Sequence, residues 1–270
     1  MTYERAMAMI EEKGFGQIPV YDAHCHIGGY GRQTIPKNGS AEMLVKMMER
    51  LKISAAFISS LPALTGNTYI GNKQTIEACA EYPGRIYGYL AFNPNDSREK
   101  DAFELEGLLG APGVVGLKFH STLHAAHPDD KRYIPAYELA MKYQLPILMH
   151  IWGAADVAAL DKVCKEYPKI QIIAAHAGGI EWNDTAAACE AAKRYDNLYV
   201  DLCLSFVREG LIEYMTRVCS ASKVLFGSDA SFFCPIIGFG RVLFANISRE
   251  EKEMILYKNT KNIFMEKIRP

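Results

Sequence analysis

Short apolar runs and longer amphipathic stretches take turns along the whole chain. The runs are "IPVYDAHCHI" (18–27), "SAAFISSLP" (54–62), "RIYGYLAF" (85–92), "GVVGLKFH" (113–120), "PILMH" (146–150), "KIQIIAAH" (169–176), "NLYVDLCL" (197–204) and "KVLFGSDA" (223–230), eight in all. Each has strand length, and most are nearly continuous in apolar residues, as strands buried on both faces are. Helical periodicity marks the segments near 40–50, 68–82, 97–109, 135–144, 154–167, 184–195 and 208–219. Pro83 and Pro168 close two of these. Asp96 with Glu99 suggests a capping box before a third, and Ser248 with Glu251 suggests another that opens a final helix.

Strand-then-helix units of about 30 residues imply parallel strands joined by right-handed crossovers. Eight such units in roughly 250 residues make a closed barrel. An open, doubly wound sheet would carry a glycine-rich phosphate loop after its first strand, and here that strand ends in His24, Cys25 and His26. The predicted class is therefore α/β: a (β/α)8 TIM barrel, distorted, with a short N-terminal helical extension and a C-terminal helix. Residues 1–270 are expected to form one domain.

Composition adds mainly exclusions. A net charge of −1 leaves no electrostatic footprint for nucleic acid and no polybasic patch for a membrane. No run of ~18 apolar residues is present to span a bilayer, and the charged start "MTYERAMAMI EEKGFG" does not read as a signal peptide. Seven scattered cysteines without a CxxC pair suggest reduced, mostly buried thiols and a cytoplasmic protein. The expected partner is a small-molecule substrate, and a homo-oligomer is compatible with all of this.

The polar residues give the barrel a purpose. His24 and His26 end the first run, His120 the fourth, His150 the fifth and His176 the sixth, and Asp229 ends the eighth. In a parallel barrel these ends meet on one face, where active sites lie. Strand alternation would turn Asp22, His24 and His26 one way and Cys25 the other. In the fourth run it would turn Val115, Leu117 and Phe119 outward, and Lys118 and His120 into the barrel mouth. A lysine there needs an anion, from Asp22, Asp201 or a substrate, or a chemical modification. Several imidazoles with one carboxylate suit a borderline cation, above all zinc. Zinc acidifies bound water, and Asp229 could take the proton.

The segments "DAHCHIG", "GLKFH", "LPILMHIW", "IIAAHAGG", "VLFGSDA" and "ILYKNTKNIF", in this order, resemble the amidohydrolase superfamily. Within it they are most similar to the branch holding small hydrolases and aminocarboxymuconate-semialdehyde decarboxylase-like enzymes. The resemblance implies that His24, His26, His150 and Asp229 hold the metal. It also implies that His176 polarises substrate or water, or serves a second ion. In two-metal relatives a carboxylated lysine near Lys118 bridges the ions. One zinc ion is favoured here, with a second ion or manganese as the alternatives.

These residues suit hydrolysis of a small amide, lactone or ester, carboxylate-bearing, with Asp229 and His176 catalytic. Lys118, His120, Arg32 and Trp152 are the candidates for substrate contact. A decarboxylase of an unsaturated or aromatic acid would use the same metal site. A non-catalytic scaffold barrel would need neither the acid–base carboxylate nor an open coordination position. The loops "GGYGRQTIPKNG", "STLHAAHPDDKRYI" and "SFFCPIIGFG" are expected to set substrate choice.

Overall fold

A computed structural model describes residues 18–29, 39–96, 98–203 and 208–264, together with Ala8 and Glu11. Eight parallel strands form one sheet in sequential order: β1 (Tyr21–Ile27), β2 (Ala55–Ser60), β3 (Ile86–Ala91), β4 (Val114–His120), β5 (Ile147–His150), β6 (Ile172–Ala175), β7 (Leu198–Asp201) and β8 (Val224–Leu225). Between and after them lie helices Ala41–Leu51, Thr68–Glu81, Arg98–Leu108, Ile134–Tyr143, Ala154–Glu166, Trp182–Arg194 and Leu211–Cys219, the pattern of a (β/α)8 TIM barrel. The barrel closes where the chain beyond β8 runs along β1. Ala23 N–H donates to Phe226 O (2.9 Å), Asp229 N–H to His24 O (2.9 Å), and His26 N–H to Ala230 O.

Side chains alternate between two cores. Ala23, Phe57, Tyr89, Leu148, Ile173 and Leu225 fill the barrel interior. Leu117, Phe119, Ile147, Met149, Ile172 and Val200 face the helices. Two strands break strict alternation. A bulge between Asp22 and Cys25 in β1 inserts one residue, so Asp22 does not share the face of His24 and His26. It points outward instead, accepting Ser228 N–H (2.9 Å), and burial pushes its carboxyl up to about 7 against hydrogen bonds from Ser228 and Cys25. The pairing of β3 with β4 shifts in the same way between Gly88 and Tyr89, and Val115 packs inside the barrel rather than outside. Each bulge resets the parity of the residues beyond it. In both strands the upper half still delivers its polar residues inward.

Other boundaries also differ from the pattern. β8 is two residues long, so Asp229 stands beyond the strand, on the segment paired with β1. His176 likewise comes after β6 in a short 3-10 turn, His176–Gly178. His124 ends a one-turn helix, Ser121–His124. Most of the predicted loop "SFFCPIIGFG" is the start of a helix, Pro235–Phe244. The Ser248–Glu251 capping box is formed, and the final helix runs through a π-helical stretch, Met254–Lys258, to Phe264. The predicted N-terminal helical extension falls largely outside the described residues.

Phe264 plugs the barrel from below, its ring 4.7 Å from Phe57 and 5.9 Å from Tyr89, with no exposed surface. Truncating a fully buried phenylalanine costs about 3–5 kcal/mol. Phe264→Ala should lower the urea midpoint accordingly. A change worth under ~1 kcal/mol would mean that the plug does not hold the barrel.

Candidate metal centre

His24 and His26 leave β1 toward the barrel mouth with their Nδ1 atoms already held. His24 Nδ1 lies 2.8 Å from Asp201 Oδ2, and His26 Nδ1 lies 3.2 Å from the Ser59 carbonyl. A carboxylate only accepts, so His24 Nδ1 carries the proton and its Nε2 presents a lone pair, while His26 Nδ1 also meets the Ser59 hydroxyl at 3.0 Å, a group that can donate or accept. Asp201 ends β7 and is fully buried. Burial pushes its carboxyl up to about 6, against the charge of His176 and backbone donors. Its other oxygen accepts the N–H groups of His176 (2.8 Å) and Cys203 (3.0 Å). Burial, then the charge of Lys118, holds His24 well below the usual imidazole range. It is a neutral base at pH 7.

Asp229 meets both Nε2 atoms. Its Oδ1 is 3.1 Å from His26 Nε2 and 3.8 Å from His24 Nε2. Burial opposes its charge, but the hydrogen bond to His26 and the surrounding imidazoles outweigh that and hold the carboxyl well below its usual range. Two imidazole nitrogens and a carboxylate oxygen therefore converge, bridged by protons from His26 and Lys118 where no cation replaces them. That is the fit expected of a divalent-ion site. Gly227 permits the approach: a Cβ there would lie 3.0 Å from His24 Cβ and 3.3 Å from Cys203 Cβ. His176 (φ 61°) and Asp229 (φ 59°) both sit in the left-handed region, at a cost on the order of 1 kcal/mol each.

The remaining imidazoles form a relay and a wall. His176 Nδ1 donates to Cys203 O (2.6 Å), which leaves Nε2 to accept from His150 Nδ1 (2.9 Å). His150 Nε2 is then a lone pair as well. Register pairs His120 directly with His150, and their rings stack at 3.8 Å. Trp152 lies parallel on the other side of His150 at 5.6 Å. Burial keeps His120 and His150 well below the usual imidazole range, and lowers His176 too. Above them opens a cavity of about 490 Å³, with His26, His120, His150, His176 and Asp229 at its polar side. Leu61, Leu64, Leu123, Trp152, Phe232 and Phe233 form the apolar walls. That volume lies within the range of small-molecule sites.

The predicted residues are thus gathered at one mouth, though not as one tight shell. Among the described residues, the group whose ligand atoms all lie within 4.8 Å of one another is His24, Cys203 and Asp229. His26 joins through Asp229, and His150 stands behind His176. Lys118 is fully buried beneath the cavity and donates to His24 Nε2 at 2.9 Å. Burial pulls its ammonium down to about 8, against the charges of Asp229 and Asp201. No ion pair joins it to Asp22 among the described residues. Arg32 lies outside the described residues.

Sequence reasoning misses three supports. Asp201 is visible as an acidic residue inside the apolar run 197–204. Cys203 reads as a packing thiol. Asp156, 3% exposed, ties the two loop origins together. It accepts Trp152 N–H (2.9 Å), His127 Nδ1 (2.6 Å) and the Ser121 hydroxyl. Asp201→Asn should put an amide donor against the His24 Nδ1 proton, because the other oxygen is fixed by two N–H groups. His24 would then protonate Nε2 and lose its lone pair. Carboxylates that orient a ligand imidazole are worth about 10–100-fold in metal affinity. Chelator competition should show a loss of that size, and unchanged affinity would contradict the tautomer assignment.

The family model described as Amidohydrolase matches residues 21–264. Comparison with the curated proteins gives no match. Solved structures share the fold. One is 5-carboxyvanillate decarboxylase from Novosphingobium aromaticivorans, complexed with manganese and 4-hydroxy-3-methoxy-5-nitrobenzoic acid. It is 14% identical, with 93% of this chain and 97% of that chain covered and a TM-score of 0.74. Another is a probable 2-pyrone-4,6-dicarboxylic acid hydrolase from Acinetobacter baumannii with citric acid bound (15% identical; 92% and 100% covered; TM-score 0.67). A third is 4-oxalomesaconate hydratase from Rhodopseudomonas palustris (15% identical; 91% and 95% covered; TM-score 0.70). At such identities the likeness speaks for the shared barrel alone.

Proposed function

The chain belongs to the amidohydrolase family, and we propose that it is a metal-dependent hydrolase of a small, carboxylate-bearing amide, lactone or ester. The observation that carries this reading is the convergence of His24 Nε2 and His26 Nε2 on Asp229, with His26 and Asp229 lining the cavity. His24, His26, His150 and Asp229 would hold one divalent ion, zinc by preference and manganese as the alternative. When bound, that ion supplies Lewis acidity toward water or a substrate oxygen.

The chain's own residues supply the rest. Asp229, ionised at the cavity floor, takes the proton of the attacking water. His176 Nε2 polarises water by accepting its hydrogen bond whenever His150 does not engage it. Trp152 and His120 hold the substrate against the stacked wall. Lys118 has to release the single lone pair of His24 Nε2 once that atom holds the ion. Its ammonium has no carboxylate within ion-pair distance among the described residues, so it then pairs with the substrate's anionic group. Lys118→Met should therefore keep the metal and raise KM. Lost metal would assign the lysine to ion bridging instead.

A lyase reading, decarboxylating an unsaturated or aromatic acid, draws on one specific feature: the flat apolar walls of Trp152, Phe232, Phe233 and Leu123. Mass analysis of products from metal-reconstituted protein separates the two. Gain of water across a panel of small amides, lactones and esters supports hydrolysis. Release of CO2 from aromatic acids would replace it with the lyase.

A further inference from the structure

Resting on the reading that the site holds a divalent ion, we propose that Cys203 is a sulfur ligand of that ion. The donor set would then contain a thiolate as well as imidazole and carboxylate, and would select zinc-class ions over manganese. The sulfur, a ligand nitrogen of His24 and a carboxylate oxygen of Asp229 all lie within 4.8 Å of one another. Bonds of about 2.0–2.3 Å to one ion place neighbouring ligand atoms roughly 3–4 Å apart. Only a modest contraction separates the two arrangements.

The position of the thiol is fixed from several sides. Cys203 N–H donates to Asp201, which also orients His24. Cys203 C=O accepts from His176. Its Cβ would lie 3.3 Å from a Cβ placed at Gly227, beside that of His24. The backbone that aims two imidazoles therefore also aims this sulfur. The residue is 1% exposed, and its sulfur has no hydrogen-bond acceptor among the described residues. Cys79 and Cys219, by contrast, donate to carbonyls, and Cys25 meets the Ser228 hydroxyl. A buried polarisable donor left unpaired beside an imidazole and a carboxylate is suited to a metal rather than to packing. On coordination the sulfur–metal bond forms, the S–H bond breaks and the proton leaves to solvent. Thiolate ligands favour zinc and copper(I), whereas oxygen donors suit manganese.

Cobalt(II) loading of the full chain tests this without a substrate. The wild type should bind cobalt and show the intense near-ultraviolet sulfur-to-cobalt charge-transfer band. Cys203→Ser should lose the band while keeping cobalt by elemental analysis and its fold by circular dichroism. Cobalt bound with only weak visible bands, or a band that survives in Cys203→Ser, would overturn the inference and leave the metal site standing. Failure of the wild type to bind cobalt at all would overturn the underlying reading as well. If Cys203→Ser does not fold, cadmium-113 NMR of the wild type decides. A resonance shifted downfield into the thiolate range supports the ligand, and one in the range of nitrogen and oxygen donors overturns it.

Discussion

Asp229→Asn is expected to remove most turnover from a chain that still folds. Asparagine keeps the volume, tolerates the left-handed backbone at φ 59°, and leaves the backbone contacts untouched. Those contacts are the donation to His24 O and the acceptance from Phe232 and Phe233 N–H. What it removes is the charge facing two imidazole nitrogens and the base that takes a proton. Acid–base assistance alone is worth on the order of 10²–10⁴ in rate, and a weakened metal site adds to that loss. The check is kcat on an identified substrate, measured beside melting temperature and metal content. A rate near that of wild type would remove Asp229 from the chemistry.

The paired substitution His24→Ala with His26→Ala should abolish metal binding. Both imidazoles leave one strand two residues apart, both Nδ1 atoms are held by fixed partners, Asp201 and Ser59, and both Nε2 atoms aim at Asp229. No other side chain on β1 can replace them, because Cys25 and Asp22 face outward. The variant also strands the buried Asp201 carboxylate, so some stability will go with the metal. His26→Ala alone spares that contact and serves as the control for folding. Metal retained by the double variant at the wild-type level would place the ion elsewhere.

The barrel is legible because parallel strands buried on both faces must read as apolar runs, and each of the eight runs contains its strand. The site is legible because polar residues at the ends of such runs have only the mouth to occupy: His24, His26, His120, His150, His176 and Asp229 all reach it. Alternation fails where a bulge intervenes. Nothing in "YDAHC" announces the extra residue that turns Asp22 away from His24, and nothing in "GVVG" announces the shift that carries Val115 inside. The helix Pro235–Phe244 hides behind Pro235, Gly238 and Gly240, which read as loop signals. Proline in a first helical turn gives up no hydrogen bond the helix needs, and a Cβ placed at Gly238 would already lie 3.4 Å from the Phe226 ring. The importance of Asp201 and Cys203 emerges only when β7 is placed beside β1 across the β8 segment. A linear pattern does not carry that adjacency.

The proposed function stands or falls with His24, His26, His150 and Asp229 holding a divalent ion at the barrel mouth. Elemental analysis of gently purified wild-type protein, repeated after reconstitution with zinc or manganese, tests it most directly. The expected result is about one equivalent of a divalent transition metal per chain. No bound metal before reconstitution and no uptake after it would contradict the claim.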